Sequence, residues 1–515
     1  GVLCLAGDDH GAKSSTIAHQ SEHAFLHYSM PVLNPATVQD YLDLGLYGFA
    51  MSRYSGCWIG FICVTDTVES SASCYVDPSR VEIKYPDDYT PPAMGLNSQF
   101  GVYPMVAEAR QFQQRLVAVQ AFARANKLDK QMLGGTKNKL GIVTTGKAYL
   151  DVRDALEEMG IDDARAEQLG IAIYKVALTW PMEPQGLQAF AETCDELLVI
   201  EEKRSFMEDQ IAKQLYNMPQ RPRLVGKFDE TGAALVPSEG ELDAPIVARI
   251  IGERLLKMIA DDQIENYLKP NACGVIAASA ATNLMRLPSF CAGCPHNTST
   301  NVPDGSIAMG GIGCHGMAVW LPERKTPALF HMGGEGAAWI GQAPFTHTKH
   351  IFQNLGDGTY FHSGLLAIRA NVAAKANITY KILLNGAIAM TGGQPIEGSH
   401  LEGEITAPEV AHQVMSEGAK KVVIVSDDIA KHDKTKFPPH TEFRHRDELD
   451  EVQRELREMT GTTVIVYDQT CATEKRRLRK RGKMVDPDKR IFINELVCEG
   501  CGDCSVQSNC IAIEP

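Results

Sequence analysis

Asn354-Leu-Gly-Asp-Gly-Thr-Tyr-Phe-His-Ser-Gly364 and Leu383-Leu-Asn-Gly-Ala-Ile-Ala-Met-Thr-Gly-Gly-Gln394 are the two stretches that decide the fold. A buried strand that runs into a glycine turn lets backbone N–H groups approach a diphosphate, and a hard oxygen ligand beside the turn suits Mg2+. Gly356 and Gly358 supply the turn and Asp357 the ligand. The β-rich run Ile378-Thr-Tyr-Lys-Ile-Leu-Leu384 ends directly on Asn385, which offers a second oxygen. With a helix expected from Gly364 to Ala376, the unit reads as βαβ. Gly-Asp-Gly alone is equally ordinary turn chemistry.

The spacing to Asn385 and the trailing Met390-Thr-Gly-Gly-Gln-Pro395 carry more. Together, residues 356–364 and 389–395 resemble the thiamine diphosphate (ThDP) motif of the 2-oxoacid:ferredoxin oxidoreductases, in their indolepyruvate branch. That resemblance implies Mg2+ on the side chains of Asp357 and Asn385 and on the carbonyl of Ala387. It implies cofactor binding by Gly356, Gly358, Thr359, Gly392 and Gly393. The family's glutamate that bonds the aminopyrimidine ring has no counterpart here, so the catalytic residues stay unassigned. Gly1 falls inside a strand-like run, Gly1-Val-Leu-Cys-Leu-Ala6, so the chain reads as a fragment whose amino-terminal domain, and a carboxy-terminal partner, lie elsewhere.

Fourteen cysteines in 515 residues are too sparse for a disulfide scaffold, and their grouping points to metal. Cys498-x2-Cys501-x2-Cys504-x5-Cys510 has the ferredoxin spacing that converges thiolates on an iron–sulfur cube; a zinc knuckle is the alternative. The fourth cysteine follows after five residues instead of three, and no proline comes after it. Cys291 and Cys294 read by spacing as a zinc or redox pair, with Cys314 and Cys471 as buried thiols. The family resemblance implies instead that Cys291, Cys294, Cys314 and Cys471 hold a [4Fe-4S] cluster close to ThDP. Cys4, Cys57, Cys63, Cys74, Cys194 and Cys273 fit no ligand pattern and read as small hydrophobes.

A net charge of −14 argues against a nucleic-acid surface, and no window approaches a membrane span. Reduced cysteines without a signal peptide point to the cytoplasm. The expected class is α/β, with several doubly wound parallel-sheet domains and a ferredoxin-like carboxy-terminal segment. The expected boundaries are 1–115 for the remainder of a pyrimidine-binding domain and 116–240 for a transketolase C-terminal-like domain. A helical linker is expected over 241–289, the diphosphate-binding domain over 290–475, and a basic linker with the cysteine-rich segment over 476–515. Strand Ile171–Leu178 belongs to the second of these. Glu201-Glu-Lys-Arg204 reads as a solvated loop, and Asp8-Asp9-His10-Gly11 as either a ligand loop or a capped turn. Seven of the nine residues Lys475–Lys483 are basic, suggesting a solvated linker or a surface for CoA phosphates or an acidic ferredoxin. His296, His315 and His362 read as structural first and proton carriers second.

The resemblance implies oxidative decarboxylation of a 2-oxo acid, an arylpyruvate such as indolepyruvate, with CoA as acyl acceptor and ferredoxin as electron acceptor, in a homo-oligomer. The alternatives are a non-oxidative ThDP decarboxylase or ligase, and an electron-transfer or scaffold subunit with an inactive ThDP fold.

Overall fold

The computed structural model describes residues 1–13, 15, 17–97, 101–269, 289–396, 405–489, 491–508 and 513. The chain divides into two units, Gly1–Ala280 and Ala281–Pro515. No helix among the described residues is long and apolar enough to cross a membrane.

The first unit holds strands β1 (Leu3–Asp8), β2 (Val32–Leu33), β3 (Ile59–Val64), β4 (Lys130–Leu133), β5 (Asn138–Thr145), β6 (Ile171–Val176), β7 (Leu178–Trp180), β8 (Cys194–Ile200) and β9 (Arg223–Val225). They form two sheets, ordered β1-β3-β2-β7 and β4-β6-β5-β8-β9. Pairing is parallel except where β7 joins β2 and β4 joins β6. The second sheet is the doubly wound unit that the alternation of strands and helices predicts.

Four expectations change in this unit. The run 171–178 is not one strand: β6 ends at Val176, and β7 crosses to the first sheet. Asp129 makes the switch, its buried carboxylate accepting the N–H groups of Ala177 at 2.7 Å and Leu178 at 3.0 Å. The helix Leu116–Ala125 packs Leu116, Val119 and Phe122 with Leu33, Met51 and Phe61 of the first sheet's core, past the boundary expected at 115. Residues 244–268 are no linker either. Helices Ala244–Leu256 and Asp262–Leu268 set Val247, Ile251, Leu255 and Ile264 against Ile142, Val152 and Leu198. The rest of that expected linker, 270–288, lies outside the described residues, as does Cys273.

Glu201 and Glu202, expected in solvent, are buried. The Glu201 carboxylate accepts the N–H groups of Phe206, Met207 and Glu208, satisfying the orphan donors at the start of helix Met207–Leu215. In the Asp8–Gly11 loop, Asp9 accepts Lys13 N and Ser15 N at 2.9 Å each, as a capped turn does; Ser14 and Thr16 lie outside the described residues.

The second unit is a six-stranded sheet of β10 (Ala308–Met309), β11 (Ile351–Gly356), β12 (Ile378–Leu384), β13 (Val422–Ser426), β14 (Glu442–His445) and β15 (Thr462–Asp468). Its order is β10-β11-β12-β15-β13-β14 and every pair is parallel. All seven residues of β12 are buried, because both faces are covered. Ile378, Tyr380 and Ile382 face a core with Ile368, Val410 and Val414, whereas Leu383 faces Leu449, Val452 and Leu456. Helix Leu365–Ala373 connects β11 to β12, so the βαβ unit stands as read.

Candidate active site

The chemistry gathers at the carboxyl edge of the six-stranded sheet, where ligands of open parallel sheets bind. β11 and β12 pair Gly356 with Leu383, so Asp357 and Asn385 open adjacent loops. The buried Asp357 carboxylate ties these loops together. Its Oδ2 accepts Asn385 N at 2.8 Å and Gly386 N at 3.0 Å, and its Oδ1 accepts Gly358 N at 2.9 Å. Burial pushes the carboxyl up to about 6 against these bonds, which favour the anion. Asn385 Oδ1 accepts Ala387 N at 3.1 Å.

Two N–H bonds fill Oδ2, whereas Oδ1 keeps lone-pair capacity beyond its bond from Gly358. Carboxylate, amide and carbonyl oxygens are the hard donors Mg2+ takes. Among the described residues no three His, Cys, Asp or Glu converge on a point. A set with one carboxylate fits Mg2+ shared with a diphosphate, where the phosphate oxygens complete the shell.

The glycines leave room that a side chain would close. A Cβ on Gly358 would stand 3.0 Å from Ile388, and one on Gly356 would stand 3.2 Å from the ring of His315. Gly392 and Gly393, at φ +121° and +74°, turn the following loop. Thr359 is buried in the turn after Asp357.

Two further groups are met here. His315 Nε2 and Glu335 Oε1 are buried without a hydrogen-bond partner, and both would touch a Cβ on Gly311. Burial, with His296 and Lys381 nearby, lowers His315 to about 3, so the ring is neutral. Glu335, in Met332-Gly-Gly-Glu-Gly336, had no role assigned by motif. The glycine run around it is the only signal the sequence offers, and its proximity to His315 is tertiary.

The four cysteines separated in sequence come together. Cys294 is pushed up to about 12 by burial and by Cys314, Cys291 and Cys471; Cys314 is pushed up to about 11 by burial, Cys471 and Cys291. Thiols that raise one another in this way share one neighbourhood. They do not close on a single ion, and a cube carries its thiolates at separate corners. All four are thiols, and thiolates are the ligands that a [4Fe-4S] cluster takes.

Cys498, Cys501 and Cys504 are exposed, the first two on a loop turned by Gly500 and Gly502 and the third in the helix Asp503–Ser508, and Gly500 N–H donates to Cys498 Sγ at 3.4 Å. Cys510 lies outside the described residues.

Part of the basic run expected as a linker forms helix Ala472–Lys480, which begins at Cys471. Lys475 pairs with Asp427 at 2.9 Å, Arg476 donates to Ala292 O at 3.1 Å, and Arg477 donates to Gly392 O and Gly393 O.

Residues 130–272 match the model of the indolepyruvate oxidoreductase domain. Over its whole length the chain is 24% identical to indolepyruvate oxidoreductase subunit IorA of Methanothermobacter marburgensis, covering 82% of that protein. It is 23% identical to the subunit of the same name from Pyrococcus abyssi, covering 77% of it. A solved 2-oxoglutarate:ferredoxin oxidoreductase from Magnetococcus marinus superposes over 49% of this chain and 48% of that one, at 13% identity. Its TM-score of 0.32 is too low to bear on the assignment. The chain is thus similar to the indolepyruvate oxidoreductase domain over residues 130–272 and to IorA subunits over its full length.

Proposed function

We propose that the chain is the cofactor-bearing subunit of a 2-oxo acid oxidoreductase acting on an arylpyruvate such as indolepyruvate. The 2-oxo acid anion and the CoA thiol give acyl-CoA, CO2 and one proton, and the two electrons released leave singly to two ferredoxins. The observation that carries this reading is the shared sheet edge: Asp357 and Asn385 stand at neighbouring strand ends, where together they could hold Mg2+, and Cys471 N–H donates to Asn385 O at 2.9 Å.

Bound ThDP would supply the electron sink for decarboxylation. The chain's own residues position it. Gly356 and Gly358 admit the diphosphate, Asp357 and Asn385 hold its Mg2+, and Ala387 adds a carbonyl. Cys291, Cys294, Cys314 and Cys471 would hold the proximal cluster, and Cys498, Cys501, Cys504 and Cys510 the outer one. His315 and Glu335, buried beside the diphosphate turn, are the groups placed to hold a proton there. Names of relatives support a multi-subunit assembly, since IorA is called a subunit.

The test is iron, acid-labile sulfide and zinc on anaerobically purified protein, with the visible spectrum before and after dithionite and a titration with ThDP and MgCl2. About eight irons, a bleachable band and ThDP uptake support the reading. Zinc without iron returns the chain to a structural or non-oxidative role.

A further inference from the structure

Arg477 stands apart from the other basic side chains of its helix, because both of its terminal nitrogens reach into one glycine loop. Nη2 donates to Gly392 O at 2.7 Å and Nη1 to Gly393 O at 3.1 Å. These carbonyls face the helix because both glycines adopt left-handed φ angles, and a Cβ on Gly393 would collide with the guanidinium. The planar fork of arginine suits two adjacent carbonyls, whereas an ammonium offers no fixed pair of donors.

Bonds within the loop close it on itself. Gly393 N donates to Ile388 O at 3.0 Å, Ile388 N to Gln394 O at 2.9 Å, and Gln394 Nε2 to Thr391 O at 2.6 Å. On its inner side Ile388 packs over Gly358, the turn next to Asp357. One side of the loop thus lies on the diphosphate turn and the other hangs from Arg477. The helix that carries Arg477 starts at Cys471, whose N–H is bonded to Asn385 O, and its Arg476 reaches the carbonyl of Ala292, between Cys291 and Cys294.

We propose that Arg477 is a positioning residue for the cofactor's diphosphate: it holds the loop 386–394 over the turn at Gly358, from a helix anchored at a cysteine of the proximal cluster. This deepens the function proposed above and rests on it. It also assigns the basic run to internal positioning in place of a docking surface.

The test compares wild type, Arg477→Gln, Arg477→Lys and, as a control on the same helix, Arg479→Gln, in anaerobically purified full chain. ThDP with MgCl2 is titrated by tryptophan fluorescence, iron is measured in parallel, and amide exchange is followed across 388–394. Arg477→Gln is expected to bind ThDP about tenfold more weakly, as the loss of charge-assisted bonds to the glycine loop implies. Its iron content stays that of wild type and loop exchange speeds up. Arg477→Lys falls between, and Arg479→Gln matches wild type. Unchanged affinity and loop exchange in Arg477→Gln overturn the inference, and so does loss of iron together with ThDP, which would mark general support of the fold. If Arg477→Gln does not fold, Arg477→Lys decides by the same criteria. If wild type itself takes up no ThDP, the proposed function fails and this inference with it.

Discussion

The backbone N–H of Cys471 donates to the carbonyl of Asn385 at 2.9 Å, and Gln469 N donates to Leu384 O at 3.1 Å, so the chain leaving β15 is stitched to the end of β12. A cluster ligand and a Mg2+ ligand of the proposed site are therefore two ends of one hydrogen bond. Because this bond uses the main chain, it survives substitution of the thiol.

Cys471→Ser should lower iron by about four per chain while ThDP uptake persists, since Asn385 stays held; Cys314→Ser should lower iron equally. Iron and acid-labile sulfide assays measure the first effect and fluorescence titration the second. Iron content equal to wild type in both variants would sink the proximal cluster.

Asp357 is the sole carboxylate in its set and also the clasp between two loops. Asp357→Asn keeps the shape but replaces an acceptor oxygen with a donor, facing N–H groups that then have no partner. A loss of about 2–4 kcal/mol in stability is expected from stranding buried donors. Mg2+-dependent ThDP binding should fall at least about a hundredfold, from loss of the charge on the metal. Urea denaturation and titration check the two effects separately; ThDP affinity within a factor of two of wild type would remove Asp357 as the ligand.

The βαβ unit was legible because β12 is apolar or β-branched at nearly every position and ends on a short glycine-rich turn, a pattern that few other structures satisfy. The switch at Leu178 was not, because it depends on Asp129, a residue whose bonds to Ala177 and Leu178 join points 48 and 49 positions apart. Glu201 and Glu202 look like any solvated pair until the N–H groups at the start of the following helix meet Glu201 and the N–H of Leu242, forty positions on, meets Glu202. The grouping of Cys291, Cys294, Cys314 and Cys471 came from family resemblance alone, since spacing over such distances carries no geometry. Glu335 and His315 meet only in the fold.

Lys381 gives the site a pH signature away from the metal ligands. It is fully buried on β12, its Nζ donating to Ser299 O at 2.7 Å, Asn301 O at 3.0 Å and Gln453 Oε1 at 3.1 Å, so it pins the segment that follows Cys294. Burial, with Arg324 nearby, lowers its pKa from 10.5 to about 7. Between these values the unfolded chain holds a proton that the folded chain has released, so stability rises with pH across that window. The cost of charging the buried amine is fully present below about pH 7. Its full size is on the order of several kcal/mol. Lys381→Met should abolish this slope, as denaturant titrations at pH 7, 8 and 9 would show; parallel profiles for the two proteins would mean that the three acceptors hold the lysine charged throughout.

Arg254 decides whether residues 244–268 are core or connector. Its guanidinium is buried and bidentate on the buried Glu196 of β8, with Nε at 2.8 Å from Oε1 and Nη2 at 2.5 Å from Oε2, and Nη1 reaches Glu230 at 2.6 Å. A loosely attached linker would not bury such a pair. Arg254→Ala leaves the buried Glu196 with only the exposed Arg223, at 3.5 Å, as partner, so a loss of about 3 kcal/mol is expected. Arg254→Met with Glu196→Leu removes both charges and refills the space, and should recover most of that loss. Thermal or urea denaturation of the single and double variants measures the difference. If Arg254→Ala costs less than about 1 kcal/mol, the value usual for an exposed pair, the helix Ala244–Leu256 is not part of the first unit's core.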